Sequence, residues 1–572
     1  MAYPRKVRGV AHNGRVMVAL VPNHGGAGGV LRELTAEGDP TGPACPVADL
    51  AAAVRASPAA RWLWPSTLEV YPALRRAGVR VDRCLDLELT EALLVGYAGE
   101  WGAPHGLAAA WARLTGAPVP RDPPARAVTV PGDGQGALFD ALPPPPALPG
   151  ADPLTALIDV YRRQRAQIGA TAHPGRFRLL VASESAGALV AAEMGAYGLP
   201  WRPDVHRALL AELLGEPSPV GGPPRRVAEL AQRIAAAFGV ERLHPESPAE
   251  VVRAFSRAGI TVPNTRAWVL RGVDHPAVPL LLQYKELYRI WTAHGWSWLD
   301  TWVHNGRFWA EYLPGGVVSG RWATRGGGAL QIPKVVRRAV IADPGWVFVA
   351  ADASQLEPRV LAAVSGDARL AAAAAEGDLY AALAAEAFGG DRAKAKLALL
   401  GAMYGQTGGA ALPAIAALRQ VYPVAWEYVE EAARTGEAGG LVRSWLGRTC
   451  PPPSVTWGAF GPDPEDPGDE PPRSSARARA RGRFTRNFVI QGTAAEWANT
   501  LLASLRTGLR SPAELVFFQH DEVVVHCPAA LAEEVADAVR ASAVQAARLL
   551  FGDTPVRFPL DVAIVECYAD AH

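Results

Sequence analysis

The sequence predicts an α+β protein of several domains, and three of its segments carry that prediction. Val347-Phe-Val-Ala-Ala-Asp352-Ala-Ser-Gln355-Leu-Glu357-Pro-Arg359 is a run of strand formers that ends on an acid. Val516-Phe-Phe-Gln-His520-Asp521-Glu522-Val-Val-Val-His526 reads as a β-hairpin, with Gln-His-Asp-Glu at the turn and apolar arms on either side. Between them, Asp391-Arg392-Ala-Lys-Ala-Lys396-Leu-Ala-Leu-Leu400-Gly401-Ala-Met-Tyr404-Gly405 is rich in helix formers and lacks proline. It is expected to be helical up to Gly405, a C-terminal stop.

If the two strands are neighbours in one sheet, Asp352 and Asp521 meet at its end and can share divalent cations. Two hard cations about 4 Å apart, held by carboxylates and substrate phosphates, serve in-line phosphoryl and nucleotidyl transfer. On the helix, Arg392, Lys396, Leu400 and Tyr404 recur every fourth residue and form one stripe about 18 Å long. That length suits a triphosphate with its nucleoside. Acids at strand ends also occur in any α/β domain, and a basic helical face is also an ordinary solvated face. The order of the segments decides between these readings.

In that order the segments resemble the polymerase motifs of the DNA polymerase I family (family A): Asp-x-Ser-Gln-x-Glu-x-Arg, then Arg-x-x-x-Lys-x-x-x-aromatic-Gly-x-x-Tyr-Gly, then His-Asp-Glu. Ser319-Gly320-Arg321 with Leu330-Gln331-Ile332-Pro333 is similar to a fourth family block. Arg483, Asn487 and Gln491-Gly492-Thr493-Ala494 are similar to a fifth. The resemblance covers roughly residues 200–572. It implies a right-hand polymerase fold of palm, fingers and thumb, preceded by a small α/β domain of the RNase H-like, 3′–5′ exonuclease type.

The domains follow in order. Residues 1–130 alternate strand-like runs (Val16–Val21, Trp62–Trp64) with Ala-rich helices and are expected to be a degenerate exonuclease-like domain. Proofreading needs Asp-x-Glu on the first strand. None follows the strands near Val10 or Val16, and Asp86-Leu-Glu88 precedes a helix-like stretch, so it is read as chance. Residues 131–153, with Pro143–Pro146, form a stiff linker. Residues 154–310 are the helical connector and thumb, 311–390 the first part of the palm, 391–486 the fingers and 487–572 the rest of the palm. Cys450–Arg481, rich in Pro, Gly, Asp, Glu and Arg, reads as a surface insertion within the fingers. No separate 5′-nuclease domain is expected.

Composition adds bounds. The 572 residues are 49% hydrophobic and 20% charged, and the net charge is only +1. A nucleic-acid face must therefore arise from local clustering. The five cysteines show no Cys-x-x-Cys pairing, which fits a reducing cytoplasm better than a zinc site or disulfide scaffold. The N-terminus has no apolar stretch of signal or membrane length.

The resemblance also implies roles. Asp352, Asp521 and the backbone carbonyl of Ala353 would hold two Mg²⁺ ions, with Mn²⁺ an alternative. Glu522 would support the catalytic site without being an essential ligand. Arg392 and Lys396 would clamp the triphosphate, and Lys396 would protonate pyrophosphate. Leu400, Gln355 and His520 are assigned to the nucleotide side, His520 with Arg321 reaching the primer end. Glu357 and Tyr404 would exclude a ribose 2′-hydroxyl, although Glu357 paired simply with Arg359 is an alternative. Arg321, Gln331, Arg337, Arg359, Arg483, Asn487 and Gln491 would contact DNA, and Gln355 shares the minor-groove role. The partners implied are primer-template DNA and dNTPs, with no membrane, for a monomer acting on the nucleoid in replication or repair.

Three positions depart from the family pattern: Ala353 for tyrosine, Pro358 for an aliphatic residue, and Leu400 for the aromatic that packs on the incoming sugar. The rival readings are a polymerase-shaped DNA-binding protein with weak or no catalysis, an RNA-synthesising relative, and a bifunctional polymerase/3′–5′ exonuclease.

Overall fold

The structure, a computed structural model, describes residues 17–23, 27–58, 60–123, 148–218, 221–405, 411–452 and 474–571. Val10, the Pro143–Pro146 linker core and most of the Cys450–Arg481 insertion lie outside the described residues.

The N-terminal part is a mixed five-stranded sheet of β1 (Met17–Pro22), β2 (Gly29–Leu34), β3 (Cys45–Val47), β4 (Arg61–Trp64) and β5 (Arg83–Asp86), in the order β3-β2-β1-β4-β5. β1 pairs antiparallel with β2 and parallel with β4, which pairs parallel with β5. β1 is central, so Met17–Leu20 are buried without alternation. It carries no carboxylate. Asp86, at the end of β5, accepts hydrogen bonds from Leu89 N (2.9 Å) and Thr67 N (2.6 Å) and caps the helix Leu87–Tyr97. Its carboxylate is engaged by these two backbone donors.

Short strands follow: β6 (Leu199–Pro200), β7 (Val303–His304) and β8 (Arg307–Phe308) in one sheet, and β9 (Glu311–Leu313) with β10 (Ala323–Arg325) in another. The main C-terminal sheet contains β11 (Trp346–Ala353), β12 (Glu514–Gln519), β13 (Glu522–Pro528) and β14 (Leu560–Val565), ordered β12-β13-β11-β14 with antiparallel neighbours. The two carboxylate segments are therefore adjacent strands, as their sequences predict.

The helical stretch expected over 154–310 divides in two. Helices Pro203–Leu214, Arg225–Ala237, Pro248–Arg257 and Ala277–His294 surround a core of their own, including Leu210, Ile234, Phe255 and Leu281. Helix Pro174–Tyr197 instead belongs to the main body. It is long and apolar enough to cross a membrane by length and composition alone, yet most of its apolar window is buried within the protein. It packs against β12, β5 and the helices Thr67–Arg76 and Ser474–Gly508. The last of these runs unbroken for 35 residues, so the expected boundary between 486 and 487 falls inside one rigid helix.

Two charged networks close this interior. Asn499 Nδ2 donates to Glu184 Oε1 (2.7 Å), which also pairs with Arg448, while Trp322 Nε1 donates to Asn499 Oδ1 (2.6 Å). Arg506 meets Glu193 through Nε (2.9 Å) and Nη2 (2.7 Å), and Tyr71 donates to the same carboxylate (2.5 Å). Arg506 also donates to Asp82 O (3.0 Å), which fastens the N-terminal sheet to the long helix. Removing one partner would strand a buried charge.

Three histidines are buried and held neutral, each pushed down to about 4 by burial: His206, His294 and His526. His294 sits against Trp298 (5.1 Å between ring centres), its two ring nitrogens without hydrogen-bond partners among the described residues. Repulsion from His206, once that is itself protonated, and from Arg289 lowers it further. Because folding lowers this pKa from 6.5, its contribution is complete above pH 6.5 and is lost as pH falls toward 4. His294→Phe should therefore raise thermal stability more at pH 5 than at pH 8, the difference being about 1–2 kcal/mol. Equal gains at both pH values would contradict this account.

Candidate active site

Asp352 is the penultimate residue of β11, and Asp521 lies in the two-residue turn, His520-Asp521, that joins β12 to β13. Register places Asp352 opposite Glu522, and Ala353 N donates to Asp521 O (3.2 Å). The two acids thus meet at one sheet end. Non-glycine residues beside them take left-handed backbone, His520 at φ 59° and Gln355 at φ 60°. Such conformations persist where surrounding structure enforces them, and they cluster at functional sites. The Asp521 carboxyl is pushed up to about 7, first by burial and then by the charge of Asp352.

That repulsion is what a bound cation would relieve, so the pair fits divalent metal. No group of three His, Cys, Asp or Glu side chains suited to a metal occurs among the described residues. Two carboxylates leave the remaining positions of a hard cation to backbone carbonyl, water and substrate oxygens.

Glu522 is buried, and Arg337 Nη1 lies 3.7 Å from its Oε2. Its side chain is thus engaged on the protein side of the hairpin. Arg337 corrects an expectation. Besides Glu522 it bonds Gln519 Oε1 (3.3 Å) and stacks on Tyr568 (4.5 Å), so its guanidinium serves the protein interior instead of DNA.

Arg359 is a second correction. It is fully buried, and its guanidinium donates to the carbonyls of Ser354 (3.1 Å), Ala374 (2.8 Å), Gly377 (2.5 Å) and Arg557 (2.9 Å). It cannot reach DNA, and Glu357 is not its partner. Glu357 pairs instead with Arg321 and accepts from Tyr404 OH (2.7 Å). Glu357 and Tyr404, drawn together in the sequence reading, are in contact.

The helix Arg392–Tyr404 forms as expected. Asp391 caps it through Lys394 N (2.9 Å), and Gly405 ends it at φ 66°. Ala395, Ala398, Leu399, Ala402 and Met403 are buried, while Arg392, Lys396 and Tyr404 are exposed and Leu400 half-buried. The basic stripe is thus the helix's open face. Arg486 Nη1 donates to Ala402 O (2.8 Å) and ties this helix to Ser474–Gly508. On that long helix Arg483 is exposed, and Asn487 and Gln491 are half-buried along the same face. Asn487 Oδ1 has no hydrogen-bond partner among the described residues. Gln331 is exposed on the turn Ala329–Gln331. Burial, and then nearby Arg321, lowers the pKa of His520.

Gln355 departs from its expected role in this state. Its Oε1 accepts from Leu379 N (2.9 Å) and its Nε2 donates to Asp378 Oδ1 (2.7 Å), so both ends of the amide are engaged by the protein. Asp378 also accepts from Arg392 Nε (2.7 Å). Sequence reasoning missed Asp378, whose only visible signal was that of a capping acid before a helix.

A sequence model of DNA polymerase family A matches residues 224–567, more than half of the chain. The chain is 28% identical over 284 residues to DNA polymerase I of Chloroflexus aurantiacus, covering 44% of this chain and 28% of that protein. It is 29% identical over 332 residues to the thermostable DNA polymerase I of Thermus thermophilus, covering 53% and 37%. With DNA polymerase I of Deinococcus radiodurans it shares 26% over 294 residues, covering 46% and 29%. The matched region thus spans about a third of the length of these relatives. Among solved structures, the POL domain of Pol1 from M. smegmatis, in complex with DNA primer-template and dNTP, has a TM-score of 0.67 at 19% identity, covering 98% of this chain and 96% of that one. At that identity the likeness establishes a polymerase-domain fold. By the family match over the residues that build this site, the chain belongs to DNA polymerase family A.

Proposed function

We propose that this chain is a DNA-templated DNA polymerase that adds deoxynucleoside triphosphates to a primer 3′-hydroxyl. One observation carries the reading: strand pairing sets Asp352 opposite Glu522 and so beside Asp521 in the adjoining turn, and the Arg392–Lys396 stripe is left exposed. Asp352, Asp521 and the Ala353 carbonyl would hold two Mg²⁺ ions, or Mn²⁺, which when bound activate the hydroxyl and neutralise developing charge on pyrophosphate. The primer oxygen forms a bond to the α-phosphorus as the bond to pyrophosphate breaks.

Arg392 and Lys396 hold the triphosphate, and Lys396 gives its proton to the leaving pyrophosphate. Arg321 and His520 meet the primer end. Glu357, fixed by Arg321 and Tyr404, closes the space a ribose 2′-hydroxyl would occupy. Arg483, Asn487 and Gln491 offer donors and acceptors to the minor groove, where the pattern is nearly independent of sequence. The N-terminal sheet is read as lacking exonuclease activity, because β1 has no acid and Asp86 is spent on capping. A monomer filling gaps in nucleoid DNA in the cytoplasm, during repair or replication, is the matching role.

Asp521→Ala should lower primer extension by about a thousandfold or more while primer-template binding persists. Retained extension would refute the assignment. Leu400→Phe restores a ring at the sugar position and should lower the dNTP KM roughly fivefold; an unchanged KM would show that Leu400 is already optimal. Glu357→Ala should raise ribonucleotide incorporation, read as alkali-labile product, and no rise would remove Glu357 from sugar selection.

A further inference from the structure

Asp378 begins the helix Leu379–Ala387, and its two carboxylate oxygens divide their work. Oδ1 accepts from Ala381 N (3.2 Å) and Gln355 Nε2 (2.7 Å). Oδ2 accepts from Arg392 Nε (2.7 Å). The Arg392 guanidinium also lies over the Tyr380 ring, 5.6 Å from its centre. With Nε held and one face covered, the two terminal amino groups of the planar fork make no hydrogen bond to protein among the described residues. Those groups are the pair that binds phosphate oxygens bidentately. Gln355 connects the same carboxylate to the turn that follows Asp352, because its amide oxygen accepts from Leu379 N (2.9 Å). The cationic clamp and the acid strand thus share one anchor.

We propose that Asp378 is the positioning residue of the triphosphate clamp, aiming the Arg392 fork at the incoming phosphates and keeping it in register with the Asp352 strand through Gln355. The inference rests on the polymerase reading above and adds a residue that the motifs do not contain. An arginine on a flexible stem loses rotamer freedom when it grips phosphate, and a group that fixes Nε beforehand removes part of that loss. The carboxylate therefore acts on nucleotide binding, leaving chemistry and DNA binding alone.

The test is steady-state primer extension by the full chain, with dNTP KM, kcat and primer-template Kd measured separately. Asp378→Ser keeps a helix-capping oxygen but is too short to reach Arg392. It should raise the dNTP KM roughly fivefold, with kcat and primer-template Kd unchanged. Asp378→Asn keeps an acceptor for Nε and should lie between Ser and wild type. Arg392→Lys has no fork to aim, so adding Asp378→Ser to it should raise KM no further. An equal KM effect in both backgrounds, or a fall in kcat with unchanged KM, would reduce Asp378 to a helix cap and overturn the inference. A lower KM in Asp378→Ser would overturn it too, showing that the carboxylate competes with phosphate. Absence of extension by wild type would refute the polymerase reading and this inference with it, an outcome distinct from every other.

Discussion

Bringing two carboxylates together at the half-buried end of a sheet is unfavourable, and much of the surrounding structure exists to enforce it. The pairing of β11 with β13 extends from Trp346 opposite Pro528 to Asp352 opposite Glu522, with nearly every strand residue between them buried. Sliding the register by one residue would exchange side chains between two packed faces, so close packing on both sides locks the acids in place. The elevated Asp521 pKa measures the electrostatic cost that this packing carries.

Buried arginines do most of the bracing. Arg359 gathers carbonyls from three separated segments and fixes the helix that leaves β11. Arg337 supports the hairpin through Gln519 and Glu522. Arg506 and Arg448 join the long helices to the N-terminal sheet and to the loop before the long helix. The planar guanidinium, with five donors, satisfies several carbonyls or carboxylates at once, which lysine cannot do. An arginine-rich chain with almost no net charge is consistent with this use, since many of its cations are matched inside.

Facing this braced floor is a helix with one buried and one open side. Its cationic stripe is ordered from below by Asp378, its end is held by Arg486, and Tyr404 reaches across to Glu357. Binding surfaces work best when the groups that meet the ligand are oriented by neighbours before the ligand arrives. Among those neighbours, Asp378 sits at a helix N-terminus, where unpaired backbone N–H groups already favour Asp.

Much of the fold and site was legible in the chain itself. Strand-forming runs that end on acids placed Asp352 and Asp521, helix formers bounded by Asp391 and Gly405 placed the basic stripe, and ordered motifs set the family. These signals are local: alternation, propensity and capping act over a few residues and survive in any sequence window. Whether Arg337 and Arg359 face DNA or the interior, which partner Glu357 takes, and that Asp378 grips Arg392 were decided by tertiary structure alone. A long charged side chain reaches whatever acceptors the packed backbone leaves within several ångströms, and those acceptors come from segments far apart in sequence. Residue type and spacing determined what chemistry was available; three-dimensional packing determined which charges were spent on holding the protein together and which were left for a substrate.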